Sequence, residues 1–301
     1  MEELIKLSKQ EKPHILIIDG MALLFRSFFA TSAMGHYFPN EAGVPTNGVQ
    51  GFARHTMTAH SLFKPTHMAV CWDMAAHTFR NDLYDGYKAN RPKPPEELVP
   101  QFDMARSVSE LIGWKNYGVP GMEADDLIGS MVTAWDGKAD ITVVTGDKDL
   151  LQLLRPGVKI ALIKKGYSEY NTYTEHRFFE EYGITPKQYI EKKAFTGDAA
   201  DGYPGVRGIG PKTALTLIKQ YGSVEGVIAA LDELTPARRK RIEEGMDMLL
   251  LSRKLAEIHC DIEMNDPIEN MEIPIYDQLK RDQIEQQGYS LIIRQADSLF
   301  K

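Results

Sequence analysis

Residues Thr196–Thr213 read TGDAADGYPGVRGIGPKT, and the rest of the chain can be read outward from them. The first half places two aspartates, Asp198 and Asp201, three residues apart. The second half runs Gly205-Val206, then Gly208-Ile209-Gly210, before Pro211, Lys212 and Thr213. Glycine permits tight turns and close backbone approach, and proline suits the first position of a helix. This half therefore reads as the turn of a helix–hairpin–helix. Gly205, Val206, Gly208, Ile209, Gly210, Lys212 and Thr213 would grasp a phosphate backbone. An acidic pair of metal-binding type joined to such a turn implies chemistry on nucleic acid, provided the remaining chain completes the metal site.

Upstream, HILII (14–18), HMAVCW (67–72), ITVVT (141–145) and VKIALI (158–163) are short apolar runs of buried-strand type, separated by amphipathic stretches. The pattern predicts an α/β fold: a mostly parallel central sheet flanked by helices, joined to a smaller all-α helix–hairpin–helix domain. In such sheets the ligand site lies beyond the carboxyl ends of the strands. Asp19, Asp73, Asp147 and Asp149 all come directly after these runs. A lone aspartate there is usually a turn or helix cap, but three strands ending this way are hard to assign to capping alone. Between the second and third runs, GMEADD (121–126) opens a helix. Acidic residues in a first helical turn suit the helix dipole without further purpose. Glu123 and Asp126, however, share a face at i, i+3 with Asp125 beside them.

The segment 78–100 is different in kind. It mixes Arg80, Lys88, Arg91 and Lys93 with Tyr84 and Tyr87 and is divided by prolines. It reads either as a solvated loop or as a mobile basic-aromatic gate that meets a strand by charge and stacking. The expected layout is a catalytic domain over 1–183, with a helical arch at about 78–106, a hairpin domain over 184–265 and an extension over 266–301.

Composition adds limits. The 301 residues are 43% hydrophobic and 26% charged, as in ordinary globular proteins. There is no run of 18 apolar residues and no export signal, so a cytoplasmic protein without membrane contact is expected. Cys71 and Cys260 lack metal-ligand spacing. The net charge of −7 runs against nucleic-acid binding. It becomes mildly basic, however, once Asp19, Asp73, Glu123, Asp125, Asp126, Asp147, Asp149, Asp198 and Asp201 are set aside. Clustered carboxylates without histidine or cysteine point to Mg²⁺ or Mn²⁺ and not to zinc. Two such ions about 3.5–4 Å apart would serve phosphodiester hydrolysis.

Together IIDG, CWD, FR, GYKANR, GMEADD, TGDKDLLQLL, TGDAADGYPGV and GIGPKTA resemble the 5′→3′ exonuclease/flap endonuclease family over about Ile15–Ile262. The family includes the amino-terminal nuclease domain of bacterial DNA polymerase I and stand-alone bacterial relatives, which the chain resembles most. The resemblance implies a structure-selective nuclease acting on DNA flaps, nicks and junctions, and on RNA primers or RNA/DNA hybrids, in replication and repair. It implies that Asp19, Asp73, Glu123 and Asp125 hold a first Mg²⁺. Asp147, Asp149, Asp198 and Asp201 would form a second site, with Asp126 close by. Lys88, Arg91 and Tyr87 match arch residues at the scissile phosphate, and Arg80 matches the arginine at the arch base. K⁺ at the hairpin carbonyls around Val206 and Ile209 is a further implication, and a monomer is expected. Gly202 and Ala200 stand where the family usually has Asn and Ser, which removes two side-chain hydrogen bonds beside the second site. Other readings are a single-strand ribonuclease, which has no need of the hairpin, and a non-catalytic junction-binding module, which has no need of the carboxylates. The tail, QADSLF (295–300), resembles sliding-clamp-binding peptides through Gln295, Leu299 and Phe300. It equally suits an amphipathic helix docked on its own domain.

Overall fold

A computed structural model of the chain describes residues 12–75 and 77–299. Strand β1 (His14–Asp19) leads into helix α1 (Gly20–Ser32), which Asp19 caps by accepting from the Ala22 amide at 2.9 Å. Then follow α2 (Asn47–Phe63), β2 (His67–Cys71), the short α3 (Phe79–Leu83), α4 (Val99–Ile112), β3 (Lys115–Tyr117) and α5 (Ala124–Ala134). Strand β4 (Asp140–Thr145), a 3₁₀ turn (Asp149–Leu153), β5 (Val158–Lys165) and β6 (Glu169–Tyr173) complete the sheet. Its order is β3-β2-β1-β4-β5-β6, parallel except for the antiparallel β6.

Because successive strand residues point to opposite faces, each apolar run serves two cores. Ile15, Ile17, Val143 and Ile160 pack with Leu127, Ile128 and Met131 of α5. Leu16, Ile18 and Val144 pack with Leu23 of α1, Phe52 of α2 and Val108 of α4. The expected mostly parallel sheet is therefore present. The two strands without an apolar run, β3 (KNY) and β6 (EYNTY), lie at the sheet edges, where only one neighbour strand exists.

The second half is helical: α6 (Glu175–Tyr182), α7 (Lys187–Thr196), α8 (Pro211–Tyr221), α9 (Val224–Ala229), α10 (Pro236–Glu244) and α11 (Met246–Ala256). Pro211 opens α8 and Gly222, with φ of 85°, closes it. Phe195, Val206, Ile209, Leu217 and Ile218 join the core that lies beneath the sheet.

Two expectations change here. The helical arch expected at about 78–106 is helical at its two ends, α3 and α4, and carries turns and irregular backbone over 84–98. Tyr87 is 3% exposed and packs with Tyr203, Leu255 and Ala256, so it has no free face for stacking on a strand. The tail forms α12 (Gln278–Gln286) and α13 (Ser290–Leu299). Ile292, Ile293 and Ala296 bury against the same core as α2, with Leu299 partly buried on it. Gln295 lies within α13 and its Oε1 is buried. Phe300 falls outside the described residues.

Candidate active site

Parallel strands deliver their carboxyl ends to one edge, and Asp19, Asp73 and Asp147 arrive there together. They line a cavity of about 230 Å³ with Glu123, Asp125, Lys88 and Arg91. Backbone and hydroxyl donors fix the aspartates. Asp19 accepts from Thr145 Oγ1 at 2.7 Å, and Asp73 from the Ala124 amide at 2.6 Å. Glu123, at the N-cap of α5, accepts from Tyr87 OH at 3.1 Å and pairs with Lys88 at 2.8 Å.

Crowding shows in the acidities. Burial, then the neighbouring Asp73 and Asp147, outweigh Asp19's hydrogen bonds and push its carboxyl up to about 6. Burial, then Asp147 and Asp19, raise Asp125 well above the usual carboxylate range. Oxygen donors that cannot all ionise without a nearby cation fit a hard divalent ion.

A second group stands beside the first: Asp149, Asp198 and Asp201 can each bring one oxygen within 4.8 Å of the others. Asp147, expected in this group, instead lines the first cavity and reaches across by accepting from the Asp149 amide at 2.8 Å. The second group already holds cations. Lys193, 6% exposed on α7, pairs with Asp149 and lies 2.7 Å from Asp198. Arg91 lies 2.6 Å from Asp201. Burial raises Asp149 to about 6 despite Lys193. Burial would also raise Asp198, but Lys193 and the Ala200 and Asp201 amides hold it below its usual value.

Two expected site residues pair with each other behind the cavity lining, with Arg80 also 3.5 Å from Glu123. Asp126 is 0% exposed, and both its oxygens accept from Arg80 at 2.8 Å. Arg80, 3% exposed, also donates to the Leu255 and Glu257 carbonyls. The pair ties α3 and α5 to the chain after α11, and neither residue lines the carboxylate cavity.

In the hairpin, Val206 and Ile209 are 2% and 4% exposed, so their side chains anchor the turn from within. Their amides donate to the Phe195 and Val206 carbonyls and are not free for a phosphate. Gly205 has φ of 61°, and a Cβ there would lie 2.3 Å from the Gly197 nitrogen. This glycine thus serves backbone packing inside the turn. The open donors are at the start of α8, where Gly210 is the N-cap and the first-turn amides of Lys212 and Thr213 lack intrahelical partners. Arg241, from the basic run on α10, reaches the Gly208 carbonyl at 3.2 Å.

The chain matches two family models: the N-terminal resolvase-like domain of 5′-3′ exonuclease over residues 14–183, and its C-terminal SAM fold over 184–279. It is 50% identical over 248 residues to a 5′-3′ exonuclease of Bacillus subtilis (strain 168), covering 82% of this chain and 84% of that one. The chain belongs to the 5′-3′ exonuclease family. It is also 36% identical over 276 residues to DNA polymerase I of B. subtilis (strain 168), covering 91% of this chain but 31% of the polymerase. The T5 D15 protein crystallised with metal ions shares the fold, with a TM-score of 0.67 at 20% identity over 95% of this chain and 98% of that one. So does the catalytic core of Rad2 in complex with DNA substrate, with a TM-score of 0.60 at 11% identity over 97% and 93%.

Within this exonuclease family member, Lys193 is the site residue that sequence reading missed. A Lys192-Lys193 pair looks like a solvated face, but Tyr189, Ala194 and Phe195 on the same helix are buried. Gly202 also differs from expectation. Its φ is 80°, and a Cβ would lie 2.4 Å from the Gly86 carbonyl oxygen, so the site has no room for the family's usual asparagine. The close approach lets the Lys88 amide donate to the Asp201 carbonyl at 2.7 Å and Asn90 donate to the Ala199 carbonyl at 3.2 Å. At Ala200 the backbone amide bonds Asp198 at 2.8 Å, a contact that does not depend on the side chain at this position. Gly202→Asn tests the contact, because asparagine tolerates positive φ and the clash is left to act. The substitution should destabilise the protein by about 1–3 kcal/mol and raise amide exchange selectively over residues 84–91. Unchanged exchange there would show that the two loops are not interlocked.

Proposed function

We propose that the chain hydrolyses nucleic-acid phosphodiesters near 5′ ends and at single-strand/duplex junctions, acting on DNA flaps and RNA primers. The observation that carries this is one cavity lined together by the carboxylates Asp19, Asp73, Glu123, Asp125 and Asp147 and by the cations Lys88 and Arg91. The first group would hold one Mg²⁺ or Mn²⁺, and Asp149, Asp198 and Asp201 a second. Bound there, such ions supply an activated water and charge neutralisation. The protein's own part is to orient the phosphate with Lys88 and Arg91, and to position the duplex with the amides of Gly210, Lys212 and Thr213. Asp126 and Arg80 support the site from beneath. Lys193 and Arg91 already compensate the second group, so its ion would be held more weakly than the first. K⁺ at the hairpin would compete with Arg241 at the Gly208 carbonyl. Docking of the tail on a sliding clamp would have to give up the buried contacts of α13, which argues against it.

A labelled 5′-flap DNA tests the reading. With Mg²⁺, cleavage near the junction is expected, and with EDTA the substrate should be bound intact. A substrate shifted but uncut under both conditions would leave only a junction-binding module. Cleavage of single-stranded RNA in preference to the flap would favour the ribonuclease reading.

A further inference from the structure

Farther along α1 from the carboxylates lies a second cavity, of about 500 Å³, lined by Arg26, Ser27, Phe29, His55 and Tyr167 among others. Three independent features mark it. Ser27 Oγ and His55 Nδ1 are buried without a hydrogen-bond partner among the described residues, and both residues are 2% exposed. Buried polar atoms are rarely left unpaired, so a partner from outside is the natural complement. Positive charge is also uncompensated. Arg26 makes its one hydrogen bond among the described residues to the Lys164 carbonyl, at 3.2 Å. The Arg54 guanidinium lies 4.4 Å from the centre of the Tyr167 ring. Neither arginine has a carboxylate partner among the described residues. His55 feels this field: burial first, then Arg26 and Arg54, push its ring down to about 4. Finally, the rim is aromatic. Phe29 is 51% exposed, and its ring lies 6.3 Å from that of Phe25, which lines the carboxylate cavity.

We propose that this cavity is a subsite for one nucleotide unit of the nucleic acid, with its phosphate met by Arg26 and Arg54 and its base against Phe29 and Tyr167. Ser27 and His55 supply hydrogen bonds at the floor. A phosphate alone would leave the aromatic rim unused, and an apolar ligand would leave two guanidinium groups unpaired. The aromatic path from Phe25 to Phe29 joins the cavity to the carboxylates. The origin of the nucleotide therefore rests on the nuclease reading above, whereas the chemistry of the cavity does not.

The test uses the full chain in EDTA, where the carboxylate cavity repels a nucleotide. Deoxyadenosine monophosphate is titrated while the His55 ring protons are followed by NMR. A saturable shift is expected. The Arg54→Gln, Tyr167→Ala double variant, altered at one lining residue and at the arginine over its ring, should weaken it about fivefold or more. A thermal melt like the parent's confirms that the double variant is folded. No shift at His55, or an equal affinity in the folded double variant, would overturn the proposal. Inorganic phosphate giving the same shift and affinity would overturn the nucleotide assignment in favour of a simple anion site. If the flap is not cut but His55 still responds to the nucleotide, the nuclease reading fails and the subsite stands.

Discussion

Lys88→Ala is expected to slow cleavage of a 5′-flap substrate by about 10²–10³-fold, the usual cost of removing one preorganised electrostatic partner of a reacting group. Binding of the same substrate in EDTA should change far less. The ammonium lies 2.8 Å from Glu123 in the wall of the carboxylate cavity, and its side chain is 24% exposed. Burial opposes its charge, but Glu123 and Asp201 more than offset this, so it stays protonated. Its backbone is equally fixed. Lys88 has φ of 54°, unusual for a residue with a side chain, and its amide is bonded to Asp201. That geometry supplies a control. Lys88→Gly relieves the backbone strain while removing the same ammonium. If the charge is what matters, Lys88→Gly should be as slow as Lys88→Ala. Rapid turnover in either variant would remove Lys88 from the mechanism and leave Arg91 as the cavity's other cation.

The sheet was legible because a strand buried on both faces must be apolar throughout, as HILII and ITVVT are. The same topology made Asp19, Asp73 and Asp147 legible as neighbours, since parallel strands end at one edge. Edge strands escaped because β3 and β6 do not carry that pattern. The division between the two acidic groups escaped for a different reason. Asp147 and Asp149 are two residues apart, and which group each joins depends on the turn at Gly146–Asp149. Nothing in residue type distinguishes them. Lys193 was illegible because the energy of a buried lysine depends on Asp149 and Asp198, and the fold brings Asp149 there from 44 residues away. Gly202 read as a missing asparagine because its neighbour, the Gly86 carbonyl, comes from the other half of the protein.

Asp126 and Arg80 show how residue type can mislead about role: they pair behind the cavity lining, where Arg80 also meets Glu123 at 3.5 Å, and that placement has a measurable consequence. Arg80→Ala should destabilise the protein by about 3–5 kcal/mol, because it leaves the fully buried Asp126 carboxylate without its guanidinium. In a chain of this size that corresponds to a drop in Tm of about 10 °C. The loss should exceed that of any exposed ion pair on the surface, such as Lys240–Glu244, whose side chains are 74% and 66% exposed. Burial disfavours the charge on Arg80, yet the Asp126 contacts raise its basicity, so the guanidinium stays charged across the working pH range. Glu123 and His259 amides also bond Asp126, so part of its carboxylate remains satisfied in the variant. Replacing both partners with apolar residues, Arg80→Met with Asp126→Leu, should restore much of the lost stability, since no buried charge is then left unpaired. Activity separates this reading from the family expectation of an arginine acting at the arch base. A supporting pair predicts that the double variant regains flap cleavage along with its Tm. If the double variant melts like the parent but still cleaves as slowly as Arg80→Ala, the guanidinium acts on the substrate, and α3 must move to present it.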